Sequence, residues 1–283
     1  MKKYKRLFTF GCSFTDYWWL TWPEILGYEL DVPVYNYGRC GAGNTYIFNT
    51  FCQADAKFNF NEHDLVVISW TNVAREDRHV NGDWITPGNI YTQDIYGAKY
   101  VKKWADTLGY LVRDLAYIHS ATEILKTRGV DFYNLQMCEL VYQADQQSAD
   151  FNVADKENKH YQNLKKQYKK TIDTLKPSFM TVLWDNNIGS NKHLLDKKYF
   201  NYFSDGHPLP LEHLAYLENI LNIDFSKNTN NVVRQKQEKF ISIINQAEQE
   251  YKKSFHLFEL PQIIQNRITE ECKLKIELKP NVL

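Results

Sequence analysis

The sequence predicts an α/β protein, a three-layer α/β/α sandwich in which helices cover both faces of a parallel sheet. Strand-like runs alternate with helix-length segments along much of the 283-residue chain, and this alternation is typical of parallel sheets. The segment DLVVISW at 64–70 is a continuous apolar run, which indicates a strand covered on both faces. The connecting segments are long enough for the crossovers that parallel pairing requires.

The predicted elements follow one another in regular order. Apolar runs of strand length predict strands at 5–11, 33–38, 64–70, 130–137 and 179–186. Apolar side chains at helical spacing predict helices at 22–30, 44–55, 98–127, 207–221 and 232–253. Asn44 is expected to be the N-cap of the second helix, because its side chain can accept a hydrogen bond from the first turn.

The sequence pattern also predicts the domain organisation. A single core stops growing at roughly 250–300 residues, and residues 1–225 are expected to form one such domain. Within it, the polar, lysine-rich stretch predicts a helical insertion at about 143–176. The pattern changes after Asn222, and residues 226–283 are expected to form a C-terminal helical extension that packs on the core or on a partner.

The composition excludes some classes of function. The chain has 34 basic and 34 acidic residues and a formal net charge of zero, whereas nucleic-acid binding needs a local positive excess. No apolar run approaches the roughly 18 residues of a membrane span. The basic start of the chain is followed by too short an apolar run for a signal peptide, so the protein is expected in the cytoplasm or associated with a phage or virion.

The cysteines and histidines give no sign of a metal site or a cofactor. The five cysteines are odd in number and lack CxxC spacing, which argues against a disulfide framework and a zinc site and favours a reducing compartment. The histidines show no paired ligand spacing such as HExxH. We therefore expect no metal and no cofactor.

The segment GCSFT carries the first candidate for catalysis, Ser13, at the end of the first predicted strand. In parallel sheets, ligand sites form at the carboxyl ends of the strands. A serine exposed there becomes a nucleophile when a neighbouring base removes its proton. Ser13 alone also fits a turn residue or a helix cap, and the neighbouring Cys12 is a second candidate for the reactive atom.

Three further segments carry candidate site residues. The glycine-rich loop NYGRCGAGNTYI suits either a tight turn or backbone N–H groups that face a ligand oxygen. Asn72, just after the third strand, has an amide that can donate to an oxyanion or form an Asx turn. In SDGHPLPLEH, His207 follows Asp205 by two residues, and a carboxylate at that distance can orient an imidazole.

The four segments together, in this order and at this approximate spacing, resemble the SGNH hydrolase superfamily, also called GDSL esterases and lipases. FTFGCSFT, NYGRCGAGN, ISWTNVAR and DGHP carry the resemblance, which covers about residues 5–222. It implies a flavodoxin-like sheet, with Ser13 as the nucleophile, His207 as the general base and Asp205 as its partner.

The resemblance also implies an oxyanion hole, formed by the backbone N–H groups of Ser13 and Gly41 and by the side chain of Asn72. The sequence departs from the family pattern at two places. Cys12 stands where GDSL members usually have aspartate, and Asp205 lies two residues before the histidine instead of three. The site therefore contains either a triad with Asp205 or a Ser13–His207 dyad.

The expected function is hydrolysis of a carboxylic ester through an acyl-enzyme on Ser13, with O-acetyl groups on a carbohydrate as the first candidate substrate. Aromatic side chains near the site suit stacking on sugar rings or contact with a lipid chain, and they include Trp18, Trp19 and Trp70. Arg75 is expected either to touch a substrate anion or to pair with a neighbouring carboxylate.

Two other classes of function remain open, because one fold and site can support many activities. The chain fits an acyltransferase or a lipid or thioester hydrolase that uses the same site. It also fits a non-catalytic glycan-binding or structural module. The expected partners are a small-molecule or glycan ester, with a protein partner or self-association through 226–283.

Overall fold

The computed structural model of the chain describes residues 4–92, 94–141, 159–185, 207–252 and 260–278. Within these ranges the prediction of a parallel sheet between helices is confirmed.

Five strands form the central sheet: β1 (Arg6–Gly11), β2 (Val34–Gly38), β3 (Asp64–Trp70), β6 (Asp131–Gln136) and β7 (Glu277–Leu278). They lie in the order β6-β3-β1-β2-β7, and every pair is parallel. The first four follow the flavodoxin-like order. The chain adds β2 on one side of β1 and then returns to add β3 and β6 on the other side. The carboxyl ends of β1, β2 and β3 therefore meet at one edge.

Apolar packing on both faces holds the sheet. Every residue of β3 is buried, as its unbroken apolar run predicted. Aromatic rings also pair across neighbouring strands, with Phe8 on Tyr35 and Phe10 on Tyr37, at centroid distances of 4.8 and 4.9 Å. Such stacked pairs add to the stabilisation from buried area, so β1 and β2 are fixed in register next to the site.

The helices lie in two groups around this sheet. The helices α2 (Asn44–Phe58) and α4 (Thr107–Thr127) pack on each other. The helices α1 (Trp22–Leu30) and α7 (Pro210–Leu221) also pack together. Two shorter helices, α5 (Lys159–Gln167) and α6 (Lys169–Ile172), lie in the insertion predicted at 143–176, whose residues 143–158 are outside the described part of the chain.

Two predicted elements differ from the structure. The helix expected at 98–127 is interrupted, with α3 at Gly97–Trp104 and α4 starting afresh at Thr107. The break has a local cause, because the Asp106 carboxylate accepts hydrogen bonds from the backbone N–H groups of Leu108 and Gly109 and so caps the second helix.

The strand predicted at 179–186 is wrong. Residues Thr181–Asp185 form a π-helical turn, and the preceding Phe179 stacks on Tyr216 of α7 with ring centroids 3.5 Å apart. A short run rich in apolar residues fits a buried turn as well as a strand, and periodicity alone does not separate the two.

A β-hairpin after β3 was not predicted. Its strands, β4 (Arg78–Val80) and β5 (Asp83–Ile85), are antiparallel and joined by Asn81 and Gly82, both with positive φ. An Asn-Gly pair between two short strands is a strong hairpin signal, so the sequence did contain the information. The hairpin lies over the glycine-rich loop, because the Thr86 hydroxyl donates to Cys40 O at 2.9 Å.

The C-terminal segment packs on the core through two helices, α8 (Lys227–Tyr251) and α9 (Gln262–Cys272), and ends in β7. The extension is therefore not only helical, because its last described residues add a strand to the sheet beside β2. Phe240 of α8 is fully buried, 4.9 Å from the ring of Trp19. None of the described helices is long and apolar enough to cross a membrane.

We expect Phe240→Ala to lower the free energy of unfolding by about 3–5 kcal/mol, because it removes a fully buried ring from the contact between α8 and the core. Gln235→Ala is the matched control, since Gln235 is exposed on the same helix. Chemical denaturation followed by circular dichroism measures both variants. Equal stability of the two variants would contradict the packing of α8 on the core.

Candidate active site

Ser13 lies in a tight turn directly after β1. The turn is closed by a hydrogen bond from Thr15 N to Cys12 O, 2.9 Å long. A Cβ on Gly11 would lie 2.0 Å from the Thr15 hydroxyl oxygen, so this turn requires glycine at the end of the strand. Ser13 itself is 4% exposed, which places its hydroxyl in a largely buried environment.

His207 reaches the same place from the segment just before α7. Its Nε2 lies 2.7 Å from Ser13 Oγ, although the two residues are 194 positions apart in sequence. That distance is within the range required of a nucleophile and its base. With its proton on Nδ1, the imidazole accepts the hydrogen of Ser13 through Nε2, as general-base catalysis requires.

Asp205 and Cys12 are the predicted residues nearest in sequence to this pair. Asp205, the predicted partner of His207, lies outside the described residues, so the choice between triad and dyad stays a prediction. Cys12 is fully buried, and its Sγ lies 3.7 Å from Met137 Sδ. The thiol therefore faces the core, which leaves Ser13 as the reactive candidate of the two.

Gly41 lies in the loop after β2 with φ at +75°, the left-handed region that favours glycine. A Cβ there would lie 2.1 Å from the carbonyl oxygen of Thr86 in the segment after the hairpin. The loop is also tied to the first loop, because Arg39 N donates to Gly11 O at 3.1 Å. Side-chain volume at Gly41 is thus excluded on the side of the hairpin.

Asn72 follows β3 by two residues. Its Oδ1 accepts a hydrogen bond from Ala74 N at 2.7 Å, which is an Asx turn. The Asx turn expected of Asn72 is therefore present, and its role as an oxyanion donor stays a prediction.

Asn44 joins the second and third loops from beneath. Its Oδ1 accepts from Thr71 N at 2.8 Å, and its Nδ2 donates to Thr71 O at 2.9 Å and to Asp114 Oδ2 at 2.7 Å. The sequence predicted Asn44 as an N-cap, which is wrong, because the N-cap of α2 is Gly43. Asn44 instead holds the backbone immediately before Asn72.

The cap of α2 comes from a distant residue, Asp77. Its carboxylate accepts from the backbone N–H groups of Gly43 and Tyr46, at 2.8 and 2.9 Å. A carboxylate also complements the positive end of the helix dipole. This cap ties the segment after β3 to the glycine-rich loop, so Asp77 is a structural residue that the sequence did not single out.

Burial is the largest influence on the pKa values of two carboxylates near the loops, Asp114 and Asp77. Burial raises the pKa of Asp114 to about 6, against the opposing effects of the Arg113 guanidinium and the Asn44 amide. Burial also raises the pKa of Asp77, which the two backbone N–H donors oppose. Carboxylates in this setting need all their donors, because a buried unpaired charge is costly.

A second histidine lies near the first one. His213 in α7 is 1% exposed, and burial, with a smaller effect of His207, lowers its pKa to about 3. Its ring meets Phe179 edge-on at 5.6 Å. His213 is therefore neutral across the physiological range and leaves His207 as the base next to Ser13.

The remaining predicted contact residues separate into two groups. Trp19 and Trp70 are fully buried, and their indole N–H groups donate to Pro208 O and Asn134 Oδ1. Both side chains are therefore part of the buried apolar packing, Trp70 in the main core and Trp19 in a second cluster, and their role as substrate contacts stays a prediction. Trp18 is partly exposed and lies parallel to the ring of Tyr17, with centroids 5.3 Å apart.

Arg75 has a structural partner. Its Nη1 donates to Ala42 O at 2.9 Å, beside the glycine-rich loop, and its Nη2 lies 3.6 Å from Met137 Sδ. Within the described part of the chain, Arg75 forms no ion pair with a carboxylate. Glu76 pairs with Arg78 and Arg113 instead. Among the described residues, no group of three or more histidine, cysteine or acidic side chains is placed to hold a metal ion.

We expect Asn44→Ala to cost about 3 kcal/mol of stability or more, because it leaves two buried backbone groups of Thr71 without a partner, at about 1–3 kcal/mol each. It also removes one hydrogen bond to Asp114, which keeps the bond from Arg113. Asn49→Ala is the matched control, since Asn49 is in the same helix and donates only to Thr45 O within it. Urea denaturation compares the two variants. A loss no larger than that of the control would show that the amide is not a brace between the loops.

Several solved structures are similar to this chain. A lipolytic protein of the G-D-S-L family from Veillonella parvula is 13% identical, with 77% of this chain and 100% of the other covered and a TM-score of 0.41. A GDSL-like lipase from Bacteroides thetaiotaomicron is 15% identical, with 78% and 88% covered and a TM-score of 0.39.

The acetylxylan esterase Axe2 from Geobacillus stearothermophilus, in a catalytic mutant, is 14% identical, with 77% and 95% covered and a TM-score of 0.41. No family model matches the chain, and no curated protein matches it. The similarity to GDSL proteins concerns the fold, and at these TM-scores it carries no argument about activity. The chain is thus similar to GDSL-type proteins, while the case for its chemistry depends on its own site.

Proposed function

We propose that the chain is a serine esterase that hydrolyses a carboxylic ester through an acyl-enzyme on Ser13. The observation that carries this proposal is the 2.7 Å contact between Ser13 Oγ and His207 Nε2 at the carboxyl edge of the sheet. A hydroxyl in hydrogen-bond contact with an imidazole is the arrangement that activates serine for acyl transfer.

The first half of the reaction forms the acyl-enzyme. Ser13 Oγ attacks the ester carbonyl carbon while His207 Nε2 takes the hydroxyl proton. The carbonyl oxygen becomes an oxyanion, which the N–H groups of Ser13 and Gly41 and the amide of Asn72 stabilise. The carbon–oxygen bond to the alcohol then breaks, and the alcohol leaves with the proton from His207.

The second half releases the acid. Water loses a proton to His207 as its oxygen attacks the acyl carbon, and the bond to Ser13 breaks as the proton returns to Oγ. An alcohol that takes the place of this water would make the same site an acyltransferase. Product analysis with and without a sugar acceptor separates the two reactions.

We further propose an O-acetyl group on a carbohydrate as the substrate class. The partly exposed Trp18, which lies parallel to the Tyr17 ring that stacks on His207, supports it, because aromatic faces suit the apolar faces of sugar rings. Release of acetate from an acetylated oligosaccharide by the parent, and slower release by Trp18→Ala, is the expected result. Equal rates for short acyl esters with and without a sugar would contradict this substrate class.

We expect a fluorophosphonate probe to label the parent protein on Ser13 and to leave Ser13→Ala unlabelled, because the probe reacts with an activated serine. Cys12→Ala is the matched control and should label as the parent does, since the Cys12 thiol faces the core. Mass spectrometry of the labelled peptide measures the site. Labelling at another residue, or none on the parent, would contradict the proposed nucleophile.

We expect Asn72→Asp to lower kcat by about 10²–10³-fold, as the loss of one oxyanion donor does. Aspartate keeps an oxygen for the bond from Ala74 N but has no N–H group to donate. Hydrolysis of a chromogenic acetate ester measures kcat, and thermal unfolding measures stability. Parent-like kcat in this variant would remove Asn72 from the oxyanion hole.

A further inference from the structure

The imidazole of His207 lies against the ring of Tyr17. The two rings are parallel within 5°, with centroids 4.0 Å apart. Phe14 approaches the same imidazole at 5.4 Å in a tilted arrangement. Stacking of this kind limits rotation of the imidazole about its side-chain bonds, so the direction of Nε2 depends on the Tyr17 ring.

Tyr17 is itself firmly held. Its side chain is 6% exposed, and Trp19 meets its ring edge-on at a centroid distance of 4.6 Å. The Trp19 indole N–H donates to the carbonyl oxygen of Pro208, 2.9 Å away. The segment that carries Tyr17 therefore contacts both the ring of His207 and the backbone of the next residue.

The C-terminal helices support this segment from behind. Tyr17 and Trp19 belong to one buried apolar cluster with residues of α8 and α9, among them Phe240, Ile244 and Ile268. This cluster is separate from the main core of the sheet. Tyr17 and Trp19 thus have packing partners in the extension at 226–283.

An ion pair adds a second tie at the edge of the same turn. Lys273, just after α9, lies 2.6 Å from Asp16 through its Nζ, and both side chains are largely buried, at 11% and 18% exposed. Asp16 directly precedes Tyr17 in sequence. The extension therefore contacts the segment after Ser13 through an ion pair as well as through apolar packing.

We propose that Tyr17 is a positioning residue for the base, and that the C-terminal extension is the element that keeps Tyr17 in place. The stack directs Nε2 of His207 toward Ser13, and the electron-rich face of the phenol ring attracts the imidazolium that forms when His207 takes a proton. This inference rests on the proposed function of the Ser13–His207 pair.

The test compares Tyr17→Phe with Tyr17→Leu, because phenylalanine keeps the ring face and leucine removes it. We expect Tyr17→Leu to lower kcat by about 10²-fold, the effect of a small displacement of a catalytic group, with KM unchanged. Tyr17→Phe should keep kcat close to that of the parent. Tyr17→Met, with an apolar side chain of similar length, replaces Tyr17→Leu if the latter does not fold.

A second readout does not depend on activity. With ring-labelled histidine, NMR should show a nuclear Overhauser contact between the His207 ring and the β protons of Ser13 in the parent and in Tyr17→Phe. We expect this contact to weaken in Tyr17→Leu. Retention of both kcat and the contact in the leucine variant would overturn the inference.

The two readouts separate this inference from the proposed function. If the NMR contact weakens only in Tyr17→Leu and the fluorophosphonate probe does not label the parent protein, the positioning by Tyr17 is supported and the esterase is rejected. A labelled parent whose leucine variant keeps its kcat would support the esterase and reject the role of Tyr17.

Discussion

The contact between Ser13 and His207 joins the turn after β1 to the segment before α7. The rest of the site depends on how closely the loops at the carboxyl edge of the sheet approach one another. Glycine makes the approach sterically feasible at Gly11 and Gly41, where a Cβ would overlap Thr15 and Thr86. The parallel sheet supplies the common edge, because β1, β2 and β3 all end there. A candidate nucleophile, a candidate oxyanion donor and the glycine-rich loop thereby lie at the same edge of the sheet, although they are not neighbours in sequence.

Buried polar groups stabilise these loops, where a fully apolar interior would leave their backbone groups unpaired. Asn44 satisfies both backbone groups of Thr71, and Asp77 satisfies two N–H groups at the start of α2. This arrangement buries two carboxylates, Asp114 and Asp77, and burial raises the pKa of both. Networks of this type are stable only when every member has its partners, so the loops have one strongly preferred arrangement, which is what preorganised donors require.

The sequence predicted those features that depend on local pattern. Strands β1, β2 and β3 follow from apolar runs, and the four motifs predict Ser13 and His207 as site residues. It missed features that need knowledge of three-dimensional neighbours. Trp19 and Trp70 have the composition of a binding site but fill the core, and Asp77 caps a helix that starts 33 residues earlier. The break at Asp106 and the Asn81–Gly82 hairpin were visible in the sequence, because both have local capping or turn chemistry.

Under the proposed function, the ring of Tyr17 offers the His207 imidazole part of what a carboxylate offers in a catalytic triad. In a triad, a carboxylate orients the imidazole and stabilises its charged form. A parallel aromatic ring performs the first task by contact and contributes to the second through its negative face. Because Tyr17 is fixed by Trp19, and Trp19 by α8, the orientation of His207 depends on residues of the extension. Under the proposed function, the extension would thus be coupled to the position of the base through packing, without a side chain of its own on the substrate.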